Sequence, residues 1–197
     1  KGPWPGKRAL HGAAIVRGRM HVLGGLGDWD HWAWDLDGRG WSRVRATVVA
    51  GPEEGPGRRH ALAVAASGDG QALYLFGGNR HPAQGSRTTV FSDLWVFREN
   101  PAEASAEGSE ARVVVGTWRQ FAPGEATGSP APRPAWPSPR AHTSLVALGG
   151  HAHADRGVLV FGGARCTPGC ACLNDSFAWD PREEAWGRVE VPWAPIW

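Results

Sequence analysis

The sequence predicts an all-β fold built from about three four-stranded antiparallel meanders, and three observations support this prediction. A short apolar run that ends in a glycine pair occurs three times, at Gly24-Gly25, Gly77-Gly78 and Gly162-Gly163. An aromatic-rich segment and then a tryptophan-containing segment follow each pair. The 28 glycines and 16 prolines indicate many turns and little helix. Strands that are apolar on both faces need neighbouring sheets to cover them, so we expect the meanders to pack side by side.

The first meander is predicted over residues 7–48. A two-residue hairpin at Arg17-Gly18 joins its first two strands, and the second strand ends at the glycine pair. The last segment alternates between apolar and polar residues, as is typical of a half-buried strand. The four segments are Leu10 to Val16, Arg19 to Gly25, His31 to Leu36 and Trp41 to Val48.

The second meander is predicted over residues 58–121 and the third over 140–191, and both repeat the segment order of the first. The glycine pairs are unevenly spaced because of an Ala/Glu/Ser-rich insert at 99–112 and a Pro/Gly-rich linker at 122–139. Acidic residues four apart repel one another on a helix, so we predict a flexible acidic loop for the insert. Residues 192–197 are either a tail or the start of a further strand.

Charge and hydropathy exclude several classes of protein. The formal net charge of +2 gives no electrostatic basis for binding nucleic acid. No apolar run approaches the ~18 residues that a membrane-spanning helix needs, so we expect a soluble protein without a transmembrane segment. The sequence opens at Lys1 without a methionine or a signal-peptide pattern. Either a leading segment has been removed or the sequence is a fragment, so no compartment is assigned.

The three units resemble the kelch repeat. Acidic lead-ins precede the aromatic strands at Ser92-Asp93 and Asn174-Asp175, whereas the first unit lacks such a lead-in. The units open at Arg8 with His11, Arg59 with His60, and Arg140 with His142. The resemblance implies structural roles for the repeat positions Gly24, Gly25, Trp41, Gly77, Gly78, Trp95, Trp118, Gly162, Gly163, Trp179 and Trp186.

The kelch resemblance implies a β-propeller in which each meander is one blade and the tryptophans pack between blades. Propellers typically have ~4–8 blades, so three blades do not close a ring. We therefore expect an incomplete propeller or a fragment of a larger one.

The loops that follow the second and fourth strands of each meander emerge on one face, which we call the loop face. In kelch proteins such a face commonly binds a partner, and charges of both signs suit selective docking. Ordinary solvated loops are the alternative, because many surface charges contribute nothing measurable. The candidate partner-binding residues are Asp28, Trp29, Asp30, Arg80, His81, Arg87 and Arg165.

Three cysteines, Cys166, Cys170 and Cys172, lie within seven residues. A local disulfide that leaves one thiol free is the first interpretation, and three unpaired thiols are the second. Zinc or copper(I) ranks third, because a metal needs a fourth ligand and none is evident nearby in sequence. We therefore predict no metal site.

No catalytic residue is predicted. The sequence has no nucleophile elbow, Walker or dinucleotide-binding motif, and its single tyrosine, Tyr74, lies within a core strand. We expect a non-catalytic interaction or scaffold module, without a cofactor, that is a domain or subunit of a larger assembly. Its expected partner is another protein or a large complex, not nucleic acid. The alternative is an enzyme, or a propeller that binds a small ligand such as a carbohydrate at its central mouth.

Overall fold

The computed structural model describes residues 4–27, 29–38, 40–81, 88–100, 113–123, 135–149, 155–165 and 169–190. Every regular element within these ranges is a β-strand, which confirms the all-β prediction. The strands are β1 (Arg8–Ala9), β2 (Gly12–Val16), β3 (Arg19–Leu23), β4 (Leu26–Gly27), β5 (Trp32–Asp35), β6 (Gly40–Ala50), β7 (Ala63–Ala66), β8 (Ala72–Phe76), β9 (Asn79–Arg80), β10 (Thr89–Val90), β11 (Leu94–Glu99), β12 (Val113–Phe121), β13 (Ser144–Ala147), β14 (Val158–Phe161), β15 (Ala164–Arg165), β16 (Ala171–Cys172), β17 (Ser176–Asp180) and β18 (Ala185–Arg188).

In the described part of the chain, no helix is long and apolar enough to cross a bilayer.

The main strands form three antiparallel meanders: β2-β3-β5-β6, β7-β8-β11-β12 and β13-β14-β17-β18. We call these the first, second and third meanders. The first two share one eight-stranded sheet, because β6 and β12 pair in parallel from Arg43 opposite Val113 to Ala50 opposite Arg119. Edge strands β2 and β7 of this sheet also lie in contact, so the sheet is nearly closed and barrel-like.

A two-stranded ribbon follows each glycine pair, formed by β1-β4, β9-β10 and β15-β16. The residue directly after each pair bridges to the residue after the opening arginine of the same meander. These bridges are Ala9 with Leu26, His60 with Asn79, and Ala141 with Ala164.

The second meander is buried on both faces. Alternation along β8 directs Leu73 and Leu75 to a core shared with the first meander, and Tyr74 and Phe76 to a core shared with the third. Trp95 packs in the first core. The sheets are therefore held together by side chains that interdigitate between them.

The repeated tryptophans lie in these cores, except in the first meander. Trp118 and Trp186 are 5% and 2% exposed, and Trp95 and Trp179 are each 1% exposed. A buried ring removes ~150–250 Å² from water, so these residues contribute much of the packing energy. Trp41, the equivalent residue of the first meander, is only half-buried.

The glycine pairs are required by close backbone approaches. Gly77 has a φ of 64°, and a Cβ atom there would lie 2.5 Å from the carbonyl oxygen of Arg140. Gly78 has a φ of 90°, and its Cβ would lie 2.9 Å from the carbonyl oxygen of His60. Positive φ and lack of space together exclude other residues.

Several strand ends differ from the prediction. The first strand begins at Gly12 instead of Leu10, because Leu10 has a φ of 57° and its carbonyl accepts a hydrogen bond from Ala61. Strand β6 continues to Ala50, since its pairing with β12 supports the extra residues. Glu99, predicted to begin the flexible insert, is the last residue of β11.

Candidate functional site

An arginine clamps the loop face of each meander. In the second meander, Arg59 donates from Nη1 to Asp93 Oδ1 at 2.7 Å and from Nη2 to Asp93 Oδ2 at 3.1 Å. Nη1 also donates to the carbonyl oxygen of Gly77 at 3.1 Å. One side chain thus joins the start of the meander, its glycine pair and its third strand.

The other two meanders repeat this arrangement. Arg140 donates to Asp175 Oδ1 at 2.6 Å and to the Gly162 carbonyl at 3.0 Å. Arg8 donates to Asp30 Oδ1 at 2.7 Å and to the carbonyl of Gly24 at 3.4 Å. The same three groups therefore meet at the same end of all three meanders.

Asp30 is the acidic residue that the first meander was predicted to lack. Trp32 follows Asp30 by two positions and pairs with Val22, just as Trp95 follows Asp93 and pairs with Leu75. The sequence obscured this equivalence because neither serine nor asparagine precedes Asp30.

The histidines at the starts of the units do not occupy equivalent positions. They follow the clamp arginine by three, one and two residues at His11, His60 and His142. The equivalent residues two after the arginine are Leu10, Ala61 and His142, which all have positive φ, at 57°, 52° and 55°.

The clamps of the second and third meanders favour the ionised form of their carboxylates. Burial opposes the ionisation of Asp93, but the charge of Arg59 and hydrogen bonds from Arg59, Trp95 and Gln120 outweigh it, so the pKa of Asp93 lies below its ordinary value. The hydrogen bond from Arg140 likewise lowers the pKa of Asp175. These charges therefore serve the fold.

A cavity of about 350 Å³ opens between the first and second meanders on the loop face. Its wall is apolar and aromatic, whereas its rim carries charges of both signs. Its volume lies at the small end of the range for ligand sites. Among its lining residues, the apolar ones include Val44, Val48, Leu62, Leu75 and Trp118, and the aromatic or polar ones include Trp29, Asp30, His31, Arg43, Glu53, Glu54 and Arg58.

A chain of three polar side chains crosses the core beside this cavity. His21 is fully buried; its Nδ1 lies 2.8 Å from His31 Nε2, and its Nε2 lies 2.9 Å from Glu99 Oε1. Arg19 donates to Glu99 Oε2 at 2.7 Å. The chain runs from His31 at the cavity to Glu99 at the opposite end of β11.

Hydrogen bonds link the members of this chain. A carboxylate only accepts, so Nε2 of His21 donates to Glu99, and a single proton lies between Nδ1 of His21 and Nε2 of His31. Nδ1 of His31 has no hydrogen-bond partner within the described residues. Burial, followed by the charge of His21, lowers the pKa of His31 well below its ordinary value. His31 is therefore held neutral.

Sequence reasoning missed this chain because its members come from three separate segments. The only available signal was the alternation of β3, which places His21 on the inward face with Leu23. Glu99 appeared to belong to a solvated acidic insert, yet its side chain is only 4% exposed.

The predicted partner-binding residues divide into two groups. Trp29, which is 42% exposed, and Asp30 line the cavity. Asp30 is largely committed to Arg8 and also lies 3.5 Å from Arg43. The carboxylate of Asp30 is therefore less available to a partner than predicted.

The second group lies on the ribbons of the loop face. Arg80 and His81 are exposed at the end of β9, and Arg165 is exposed in β15. The ring of His81 lies 4.9 Å from that of His60, and its Nδ1 lies 2.8 Å from Thr88 Oγ1. The described lining of the cavity includes none of these three residues. Asp28 and Arg87 fall outside the described residues.

The cysteines are in two states. Cys170 is disulfide-bonded, and Cys172 is a free, exposed thiol. Cys166 lies outside the described residues. Among the residues that the structure describes, no group of three or more histidine, cysteine or acidic side chains is placed to hold a metal ion.

Comparison with known proteins supports the fold. No protein-family model matches the chain. Acyl-CoA-binding domain-containing protein 5 of Arabidopsis thaliana is 26% identical over an alignment of 226 positions. This alignment covers 93% of this chain and 32% of that protein. The solved structure titled "Structure of YjhT" matches with a TM-score of 0.59 and 16% identity, covering 96% of this chain and 53% of that one. At this identity the structural likeness concerns the fold alone.

The chain thus spans about a third of the curated relative and about half of the solved chain. The fold and the clamps define an all-β protein of three stacked four-stranded meanders whose loop connections gather at one end.

Proposed function

We propose that the chain is an incomplete kelch-type β-propeller and acts as a non-catalytic interaction module within a larger assembly. The threefold Arg–Asp–Gly clamp carries this proposal. The arginine and aspartate of the kelch-like motif have the same geometry in all three meanders, with Arg–Asp distances of 2.7, 2.7 and 2.6 Å. The face-to-face packing of the three meanders, with tryptophans in both cores, is what stacked blades require.

The loop face suits protein recognition because it is rigidly supported. The clamps fix the roots of the loops, which reduces the conformational entropy that a partner must remove on binding. Trp29 offers an exposed aromatic ring, and Arg80 and Arg165 offer guanidinium groups. Tryptophan and arginine are enriched among residues that dominate binding energy.

The test is capture of partners by the chain in cross-linked extracts of its native source. We expect Trp29→Ala, and Arg80→Glu combined with Arg165→Glu, to reduce recovery of the same partner at least ~10-fold. Arg182→Glu is the matched control, because Arg182 is exposed in the turn between β17 and β18, at the opposite end of the third meander. Undiminished recovery by loop-face variants that remain folded rejects this proposal.

Binding of a small ligand in the cavity is the second candidate function. The observation that favours it is the position of neutral His31 and Trp118 in the lining of a ligand-sized space. The name of the plant relative records an acyl-CoA-binding domain in that protein. A cavity of about 350 Å³ is small for such a ligand, so we do not extend that ligand class to this chain. A Trp118→Ala variant that leaves the thermal shift of a candidate ligand unchanged would reject the cavity as its site.

A further inference from the structure

The two joints between meanders are built from the same backbone hydrogen bonds. The amide of Gly25 donates to the carbonyl of Arg59 at 2.9 Å, and that of Gly78 donates to the carbonyl of Arg140 at 2.9 Å. The residues two positions after the three clamp arginines are also linked to one another by backbone hydrogen bonds. Ala61 donates to Leu10, and His142 donates to Ala61, both at 2.9 Å. These backbone contacts are therefore the same at both joints, although the first joint alone also pairs β6 with β12.

The side-chain packing at the joints is head to tail. The residues four and two positions before each glycine pair lie on one face of the sheet, which we call face A. The residues three and one positions before the pair lie on the opposite face, which we call face B. At the first joint, Leu23 of face B meets Leu73 and Leu75 of face A in the second meander. At the second joint, Tyr74 and Phe76 of face B meet Val158 and Val160 of face A in the third meander.

Face A of the first meander belongs to neither core, and it is only partly covered: Val22 and Trp32 are each 6% exposed, and the guanidinium of Arg43 lies 6.0 Å from the centroid of the Trp32 ring. This face carries Met20, Val22, Trp32, Trp34 and Trp41, as cross-strand pairing places them on one side of the sheet. Trp34 and Trp41 are half-buried, with ring centroids 5.4 Å apart. The indole nitrogen of Trp32 is buried without a hydrogen-bond partner in the described structure.

The equivalent rings of the other meanders are all buried. Phe97 and Trp118 occupy the positions of Trp34 and Trp41 in the second meander, and they are 0% and 5% exposed. In the described structure, the first meander thus leaves half-buried the two rings, Trp34 and Trp41, whose equivalents are buried in the other meanders.

Face B of the third meander is the complementary open surface. Val146 and Phe161 are 52% and 53% exposed, and Leu159 lies between them on the same face. Gly163 occupies the position of Gly25 and Gly78. Among the described residues, neither the Gly163 amide nor the Leu10 amide has a backbone acceptor. These are the donors that a further joint would use.

We propose that two copies of this chain associate head to tail, with face B of each third meander packed on face A of the other copy's first meander. The proposal rests on the propeller proposed above. The exposed faces are the same pair that the chain already joins internally, and a heterologous pair of faces forms a closed ring when its rotation closes. Two copies supply six meanders, within the ~4–8 of propellers. They also match the length of the solved chain, of which one copy covers 53%.

The closed ring has defined bonds. The amide of Gly163 donates to the carbonyl of Arg8 in the second copy, and the amide of Leu10 donates to the carbonyl of His142. Trp34 and Trp41 become buried at both joints between the copies.

The test is the mass of the chain in solution, measured by light scattering during size exclusion. We expect the mass of two chains at about 50 µM, and we expect Ile15→Glu and Phe161→Glu each to raise the dissociation constant at least ~100-fold. Ile15 is 55% exposed beside Met20 on face A. The matched control is Val49→Glu, which should remain dimeric, since Val49 is 65% exposed but lines a different cavity beside Arg119 and Glu184.

Mixing the two variants tests the head-to-tail geometry. A heterodimer of Ile15→Glu and Phe161→Glu retains one unaltered joint, so an equimolar mixture should recover dimer that neither variant forms alone. Circular dichroism verifies folding, and the milder Ile15→Thr and Phe161→Ser replace any variant that unfolds. A monomeric unmodified chain overturns the proposal, as does a dimer that only Ile15→Glu disrupts, because that pattern indicates face A on face A.

The experiments distinguish a failure of the dimer proposal from a failure of the proposed function. Arg80→Glu with Arg165→Glu should leave the dimer intact, because both side chains lie on the loop face. A monomer that still captures its partner overturns ring closure alone. A dimer that captures no partner overturns the interaction module alone.

Discussion

Nε2 of His21 lies 2.9 Å from Oε1 of Glu99, although 78 residues separate them in the chain. This bond links the second strand of the first meander to the third strand of the second meander. It lies in the interior, where an ionised carboxylate needs hydrogen-bond partners. The joint between the first two meanders therefore depends on a polar contact as well as on apolar packing.

Glu99→Gln should destabilise the protein. The amide has one acceptor oxygen and a donor NH2 group, so it cannot accept from both Arg19 and His21 as the two carboxylate oxygens do. We expect a loss of ~1–3 kcal/mol in the free energy of unfolding. Urea denaturation measures this change. Glu183→Gln is the control, since Glu183 is exposed in the turn before β18. Equal midpoints for the two variants would contradict a structural role for the Glu99 charge.

Stability should fall as the pH drops below about 6.5. The folded protein holds the pKa of His31 well below its ordinary value. The unfolded chain then binds a proton that the folded chain does not. The unfolding free energy falls by up to ~1.4 kcal/mol per pH unit until the folded pKa is reached.

The control for this pH dependence is His31→Phe. Burial also lowers the pKa of His60, followed by the charges of His81 and His142, so His60 contributes in the same direction. Replacing His31 should therefore reduce the slope of stability against pH without abolishing it. An unchanged slope between about pH 5 and 6.5 would show that folding does not lower the pKa of His31.

The clamps of the first and second meanders should differ in their contribution to stability. Arg59→Ala leaves the carboxylate of Asp93 buried without its charge partner, and we expect a loss of ~3–5 kcal/mol. Arg8→Ala should cost less, ~1–2 kcal/mol, because the Asp30 side chain is 21% exposed and Arg43 lies 3.5 Å away. Chemical denaturation of both variants checks the order. A larger loss for Arg8→Ala would reverse it.

Glycine substitutions separate backbone strain from steric overlap. Gly77→Ala combines a φ of 64° with a Cβ placed 2.5 Å from a carbonyl oxygen, so we expect a loss of at least ~3 kcal/mol. Gly18→Ala has a similar φ of 73° but no heavy atom within 4 Å of the added Cβ. Its cost should be the conformational strain alone, roughly 1–2 kcal/mol. Equal melting temperatures for the two variants would exclude the overlap.

The cysteines should differ in reactivity. Without reductant, an alkylating reagent should modify the exposed thiol of Cys172 and leave disulfide-bonded Cys170 unmodified. Peptide mass spectrometry identifies the labelled sites. Labelling of Cys170 under these conditions would exclude the disulfide.

Local patterns made most of the strands predictable. The glycine pairs locate β3, β8 and β14, because an apolar run that stops at paired glycines is a local signal. Non-local relationships were not predictable. The role of Asp30 depends on its distance from Arg8, the chain of His21, His31 and Glu99 joins three separate segments, and the parallel pairing of β6 with β12 has no local signature.

Because β6 pairs with β12, the three meanders should differ in how readily they unfold locally. Separating the first two requires rupture of a continuous ladder of main-chain hydrogen bonds. The third meander is attached by interlocking side chains and by isolated backbone contacts such as that from His142 to Ala61. Fraying should therefore begin at the third meander, and amide protons in β14 and β17 should exchange with solvent before those in β6 and β12.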